Sequence, residues 1–307
     1  MTNIILKLIA LLLPVALGYF LKKIHFFGDT DYRILAKIAL NITLPAAVIS
    51  SFSGFHMDLS LLGVAVAAFA ANWVVLLFIY FTSWRRKNDP KGRALQMFCG
   101  SGFNMGNFMI PFVQQFLGSN GVAVTAIFDS GNTFMCTGGI YIFTTSVLKT
   151  DGKKVTLLSV LKKLMQPVLI TYLIMIIMAI AAIPVPEFIT TIVQPTGSAN
   201  GFVSMMMIGL MFEIRFSKEY MKDAFGILGK KYFCAAVIAL GFYYLLPFDL
   251  LTRQVMVMSA FAPIPSLAGI FTGQIDGDTG LAGFTTSCSF LISCTILTIL
   301  AAVMGLA

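Results

Sequence analysis

Few residues in this chain are placed to do chemistry. Asp129 is the one acid deep inside a long apolar stretch; the other twelve Asp and Glu fall in loops or at the ends of such stretches. A carboxylate at bilayer depth costs several kcal/mol unless it is partnered or neutral, so it marks a functional site by default. Asn132 follows three residues later, on the same face of a helix. Together they could bind a cation or exchange a proton; alternatively, Asp129 is a protonated acid tying helices together. Asn104 and Asn107 repeat the spacing of three. Their amides can donate to a substrate carboxylate, cap freed carbonyls or serve as interhelical glue. Both stand in a stretch with Gly100, Gly102, Gly106 and Pro111, which weakens or breaks a helix repeatedly. A second such stretch holds Ser259, Pro263 and Pro265.

Broken segments carry chemistry of their own. Backbone groups freed at bilayer depth are tolerated only inside protein or beside water. The start of a half-helix attracts anions and its carbonyl end attracts cations. Gly/Pro-interrupted segments at matching places in two halves of a chain are the best sequence pointer to a transporter's binding site. No enzyme signature competes with this. There is no second membrane carboxylate for an acid/base pair, no HExxH, no paired Asp motif for a diphosphate metal site and no P-loop. The five cysteines lie in apolar stretches without CxxC or Cys/His spacing and read as buried small hydrophobes. His25 and His56 fall in expected loops.

The elements that must position these residues are membrane helices. The chain is 58% hydrophobic and 11% charged over 307 residues, with a mean hydropathy of +0.90; an average globular domain has about 25% charged residues. A bilayer core about 30 Å thick needs roughly 20 apolar residues per helix. Ten spans are expected, at about 4–21, 34–52, 59–84, 94–117, 122–148, 167–183, 188–212, 232–246, 255–272 and 281–304. The first lacks a clear basic leader and a cleavage site and reads as a retained helix. Span 2 is kinked at Asn41-Ile-Thr-Leu-Pro45 and span 7 is broken by Pro195-Thr-Gly-Ser-Ala-Asn-Gly201. Residues 155–164, tipped by Lys162-Lys163, suggest an amphipathic interfacial turn.

The net charge of +8 is a matter of sidedness and implies no nucleic-acid partner. Loops 1–2, 3–4, 5–6 and 7–8 hold eighteen of the 21 basic residues, including Lys22, Lys23, Arg33, Arg85, Arg86, Lys87, Arg93, Lys230 and Lys231. The positive-inside rule puts these loops in the cytoplasm and both termini outside, in a multi-pass protein of the cell membrane. Loop 9–10 fits least well, with Asp276, Asp278 and no basic residue. Five spans per half make the second half an inverted repeat of the first. Pro14-Val15 then answers Pro167-Val168, Pro45 answers Pro195, and 101–107 answers 259–265. The expected fold is all-α, with repeats over 1–154 and 155–307 and with spans 4 and 9 broken.

Asn41-Ile-Thr-Leu-Pro45, Gly102-Phe-Asn-Met-Gly-Asn-Phe-Met-Ile-Pro111, Phe128-Asp-Ser-Gly-Asn132 and the proline-broken 259–265 resemble the auxin efflux carrier family, in a short bacterial form without a large central loop. The resemblance implies two inverted five-helix repeats similar to the bile acid:sodium symporter fold. Spans 1, 2, 6 and 7 would form a scaffold, and spans 3–5 and 8–10 a transport domain moving in an elevator-like cycle. A homodimer is common in the family. Broken spans 4 and 9 would cross at the substrate site, with Asn104, Asn107 and Pro111 facing Ser259, Pro263 and Pro265. Family substrates are small organic anions: auxin in plants, dicarboxylates such as malonate in bacteria. Unlike typical sodium-coupled relatives, this chain has no acid in span 9. Asp129, with Asn132, is left as the candidate for coupling to Na+ or H+; no other cofactor is implied. The alternatives are a sodium- or proton-coupled symporter of larger, bile-acid-like anions and a transporter-like membrane sensor.

Overall fold

The structure, a computed structural model, describes residues 2–84, 89–150, 165–213 and 218–306. The expected interfacial turn at 155–164, the repeat boundary at 154/155 and the basic residues Arg85, Arg86, Lys87, Lys153, Lys154, Lys162, Lys163 and Arg215 lie outside them. Every regular element among the described residues is a helix; there are no strands among them. Helices α1 (Thr2–Lys23), α2 (Tyr32–Ile38), α3 (Leu44–Ser51), α4 (Leu62–Thr82), α5 (Pro90–Gly100), α6 (Ile110–Phe134) and α7 (Ile140–Leu148) come first. Helices α8 (Pro167–Ile180), α9 (Glu187–Ser198), α10 (Asn200–Met211), α11 (Lys218–Tyr244), α12 (Leu250–Ala260), α13 (Leu267–Gln274) and α14 (Thr279–Val303) follow. Among the described residues, five helical stretches are long and apolar enough to cross a membrane: Ile4–Lys23, Tyr32–Ser51, Leu59–Thr82, Tyr220–Tyr244 and Thr279–Val303. Large apolar side chains such as Leu6, Leu13, Phe81, Ile192 and Val303 stay exposed around the bundle. That is what a lipid-facing surface requires, and the chain is a multi-pass membrane protein.

Local chemistry sets several element ends. Asp89 caps α5 by accepting from the Gly92 amide at 2.9 Å, with Pro90 beside it where its missing N–H is harmless. Asp278 caps α14 in the same way through Leu281 at 2.9 Å. In span 2, Pro45 cannot donate, and the chain widens into a π-turn at Ala39–Thr43 before α3. Asn200 follows a single non-helical position in span 7, so the expected long interruption is one residue wide, with Pro195 carried inside α9. These two irregularities bond each other: Thr43 donates to Asn200 Oδ1 at 3.0 Å. Gly118, at φ 64 and ψ −160, bends α6 sharply and separates the expected spans 4 and 5.

Packing divides the helices by contact. α1 lies along α10, where Gly18 meets the Met206 carbonyl and Gly209 meets the Val15 carbonyl; any side chain at either glycine would collide with backbone. α3 packs on α8 and α9, and α2 on α10. Separately, α4 packs on α5, α6 and α11, α13 on α5 and α14, and α11 on α12 and α14. Loops gather at two ends. His56 and Asp58 share one cavity with Asn120 and Asp249 and another with Ala182 and Ile183. At the opposite end the Lys91 ammonium donates to the Asp276 carbonyl at 3.3 Å, and the Tyr220 hydroxyl to Asp278 at 3.0 Å.

Two features depart from the sequence reading. α11 begins at Lys218, so Lys230 and Lys231, expected in a loop, lie within a helix. Arg93, also counted as loop, is buried against the rings of Tyr80 and Trp84. The stems and heads of these cations reach carbonyls and aromatic faces, which lets them sit below the surface.

Candidate functional site

The site is built around two interruptions, at 101–104 between α5 and the π-turn Met105–Met109, and at 261–266 between α12 and α13. They meet directly: the Asn104 amide donates to the Pro263 carbonyl at 3.0 Å. Gly102 makes the meeting possible. Its φ of +83 disfavours any L side chain, and a Cβ there would stand 2.8 Å from Pro265 Cγ and 2.9 Å from Cys136 Sγ.

Several of the freed backbone groups have partners, as burial demands. Lys231 Nζ donates to Gly102 O at 2.9 Å. Asn132 Nδ2 donates to Phe103 O at 2.9 Å. In the second interruption, Ser293 Oγ donates to Phe261 O at 2.7 Å, and the Ile264 amide donates to Ser289 Oγ at 3.0 Å. Tyr232 joins this pair, donating to Ser289 O at 2.7 Å and lying 2.8 Å from Ser293 Oγ.

Asp129 is buried in the second part of α6 and surrounded by donors. Asn132 Nδ2 reaches its Oδ1 at 2.8 Å and Tyr172 OH its Oδ2 at 2.9 Å. Thr133 Oγ1, bonded at 2.7 Å to the Asp129 backbone carbonyl, also lies 3.3 Å from Oδ1. Behind Asn132, Asn72 Nδ2 and Cys136 Sγ each approach its Oδ1 at 3.2 Å. Among the described residues no group of three or more His, Cys, Asp or Glu could hold a metal ion.

A cavity of about 540 Å³ runs from the first interruption to the starts of α2 and α8. Asn104, Asn107, Asp129, Asn132 and Pro265 all line it. Its walls are largely apolar, with Leu40, Leu44, Phe103, Met207, Met211 and Ile270, and Arg33 and Lys37 stand at its rim. Both the π-turn at Met105 and α13 at Leu267 begin on this cavity, bringing the partly positive starts of two half-helices to it. Asn107 Oδ1 is buried without a partner among the described residues. The remaining sequence candidates lie apart. Pro263 faces a neighbouring cavity of about 80 Å³. Ser259 is buried, its hydroxyl without a partner among the described residues, and Pro111 is buried in the first turn of α6. Sequence reading missed Lys231, Tyr172, Asn72, Ser289 and Ser293. For Lys231 a signal existed: the stretch 220–244 is apolar enough to be a span, which would have placed the lysine inside it.

Membrane-capable helices with two interrupted segments meeting beside one cavity are the architecture of a membrane transport protein. The family model described as membrane transport protein matches residues 3–304, and the chain belongs to this family, the auxin efflux carriers. An uncharacterised transporter of Methanothermobacter thermautotrophicus is 24% identical over 287 residues, covering 92% of this chain and 91% of that protein.

Proposed function

We propose that the protein is a secondary carrier of a small organic anion, a carboxylate, which binds in the 540 Å³ cavity with its charge at Asn104 and Asn107. The observation that carries this reading is the convergence on that cavity of two half-helix starts and the amide residues Asn104 and Asn107, with Arg33 and Lys37 at the rim as the basic groups among the described residues that line it. Such an arrangement suits an anion that must be released again: dipoles and amides attract it without a salt bridge to break. Arg33 and Lys37 at the rim would draw the anion in. The apolar walls favour a substrate with an apolar body, so a larger amphipathic anion is the second reading; the cavity volume accommodates either.

Ten spans with both termini outside remain the best topology. It is supported by the gathering of loops 2–3, 4–5, 6–7 and 8–9 at one end and by the Lys91–Asp276 and Tyr220–Asp278 contacts at the other. The cavity then opens to the cytoplasm. Helices α1–α3 and α8–α10 form the scaffold, and α4–α7 with α11–α14 the moving domain; the two packing groups support that division. In this cycle Asp129 is the proton-coupling group, and its bond to Tyr172 of α8 crosses from the moving domain to the scaffold.

The test is a thermal-shift screen of the purified protein against mono- and dicarboxylates, with and without sodium. A bound anion stabilises the folded state by mass action. Stabilisation by a carboxylate that Asn107→Ala abolishes supports the assignment; stabilisation unchanged in that variant removes the site.

A further inference from the structure

Lys231 is 2% exposed and lies midway along α11, far from the loop in which its sequence position suggests it belongs. Among the described residues no carboxylate stands within ion-pairing distance of its ammonium. The group instead donates to Gly102 O at 2.9 Å and lies 5.2 Å from the centre of the Phe103 ring. Its neighbour Lys230 turns elsewhere, toward Gln96 Oε1 at 2.9 Å.

Burying an unpaired cation costs several kcal/mol, so something must attract it. Three features do. α5 ends at Gly100, and its carbonyl end carries partial negative charge. The break frees the Gly102 carbonyl, and the Phe103 ring offers its electron-rich face. A carbonyl cluster at a broken helix is also where an inorganic cation would be held. The second interruption has no such charge: the neutral hydroxyls of Ser293 and Ser289 hold its backbone, and Tyr232 in turn bonds Ser293 Oγ.

We propose that Lys231 is a resident cation of the carrier: its ammonium occupies the carbonyl end of the first break in place of an alkali ion, fixes the segment that presents Asn104, and makes anion binding independent of sodium. Phe103 and Asn104, next along the chain from Gly102, line the cavity, so the charge sits directly behind the anion's binding surface. Lys231 is thus a positioning residue, touching no substrate. Its role in anion binding rests on the anion reading given above; its role as a substitute for an alkali ion does not.

The test compares the full chain in nanodiscs with Lys231→Ser, Lys231→Met and Lys231→Arg. Thermal unfolding is followed without carboxylate in choline, sodium or methylammonium chloride at one ionic strength. The unsubstituted protein and Lys231→Arg should unfold at the same temperature in all three salts. Lys231→Ser, which opens space beside the Gly102 carbonyl, should unfold several degrees lower in choline and recover in sodium or methylammonium. Lys231→Met, which fills that space with an apolar chain, should be lowered equally in every salt. Stabilisation of the unsubstituted protein by sodium over choline overturns the proposal, and so does an equal loss for Lys231→Ser in all three salts. Should Lys231→Ser fail to fold, the response of the unsubstituted protein to sodium still decides.

A second arm measures binding of malonate and indole-3-acetate. Affinity in the unsubstituted protein should match in sodium and choline, and fall at least tenfold for Lys231→Ser in choline, with recovery in methylammonium. If neither probe binds the unsubstituted protein, the anion reading fails for both and the salt arm alone judges Lys231. If a probe binds and Lys231→Ser retains full affinity in choline, the role of Lys231 in anion binding fails while the anion reading stands.

Discussion

The two interruptions do the same mechanical job by different chemistry. The first, at 101–104, is opened by glycine: Gly102 turns through φ +83, and its backbone keeps every polar group it began with. The second, at 261–266, is opened by proline, and Pro263 and Pro265 bring no N–H to satisfy. A glycine break is therefore floppy and polar unless distant side chains hold it. Here Lys231 and Asn132 do so from α11 and α6. The proline break is stiffer, and two hydroxyls from α14 hold it. Of the amide residues lining the cavity, Asn104 and Asn107 lie in or just after the first break, Asn132 and Gln166 come from elsewhere, and none comes from the second break. On the proposed reading, the first break would carry binding and coupling, and the second would supply the stiffer opposite wall, with the start of α13, of the same cavity.

That inequality can be broken by substitution. Asp129 joins the first break through Asn132, so Asp129→Asn should abolish the response of uptake to an imposed pH gradient in proteoliposomes while leaving exchange between preloaded pools intact. Persistence of the gradient response would remove Asp129 from coupling. Asn104→Ala and Asn107→Ala should each weaken anion binding about ten- to a hundredfold, the scale of about 1.5–3 kcal/mol for a hydrogen bond to a charged group. Unchanged affinity in both would put the anion elsewhere. On the other side, Ser293→Ala strips a donor from Phe261 O, and a stability loss of about 1–3 kcal/mol should appear in denaturant unfolding. Its effect on affinity should stay below about threefold, the range expected of a residue that touches no substrate. Tyr172→Phe should change stability least, about 1 kcal/mol, because Asn132 and Thr133 still serve Asp129.

What the sequence made legible follows from how far each signal reaches along the chain. Asn41 to Pro45, Gly102 to Pro111 and Pro263 to Pro265 break helices by local sterics, and the structure is irregular near all three. Asp129 stood out because a lone carboxylate in an apolar run is costly, and it is buried with Asn132 on its face. Lys231 was hidden because an adjacent Lys-Lys pair resembles a loop; only the tertiary meeting of α11 with Gly102, 129 residues away in sequence, shows its partner. Asn72, Tyr172, Ser289 and Ser293 are single polar residues in apolar helices, and no spacing distinguishes them from ordinary packing. The break expected at Pro195–Gly201 was overestimated, since neighbouring packing of α9 on α3 carries the helix across nearly intact.

The central claim, that the anion is held by the first break, is tested most directly by a structure determined with a stabilising carboxylate bound. The account predicts carboxylate density within hydrogen-bonding distance of Asn107, at the start of the Met105–Met109 turn, with the second break unmoved against Ser289 and Ser293. Density seated instead among Lys22, Lys23 and His25, or against the 261–266 segment with the Asn104–Asn107 face empty, would contradict it.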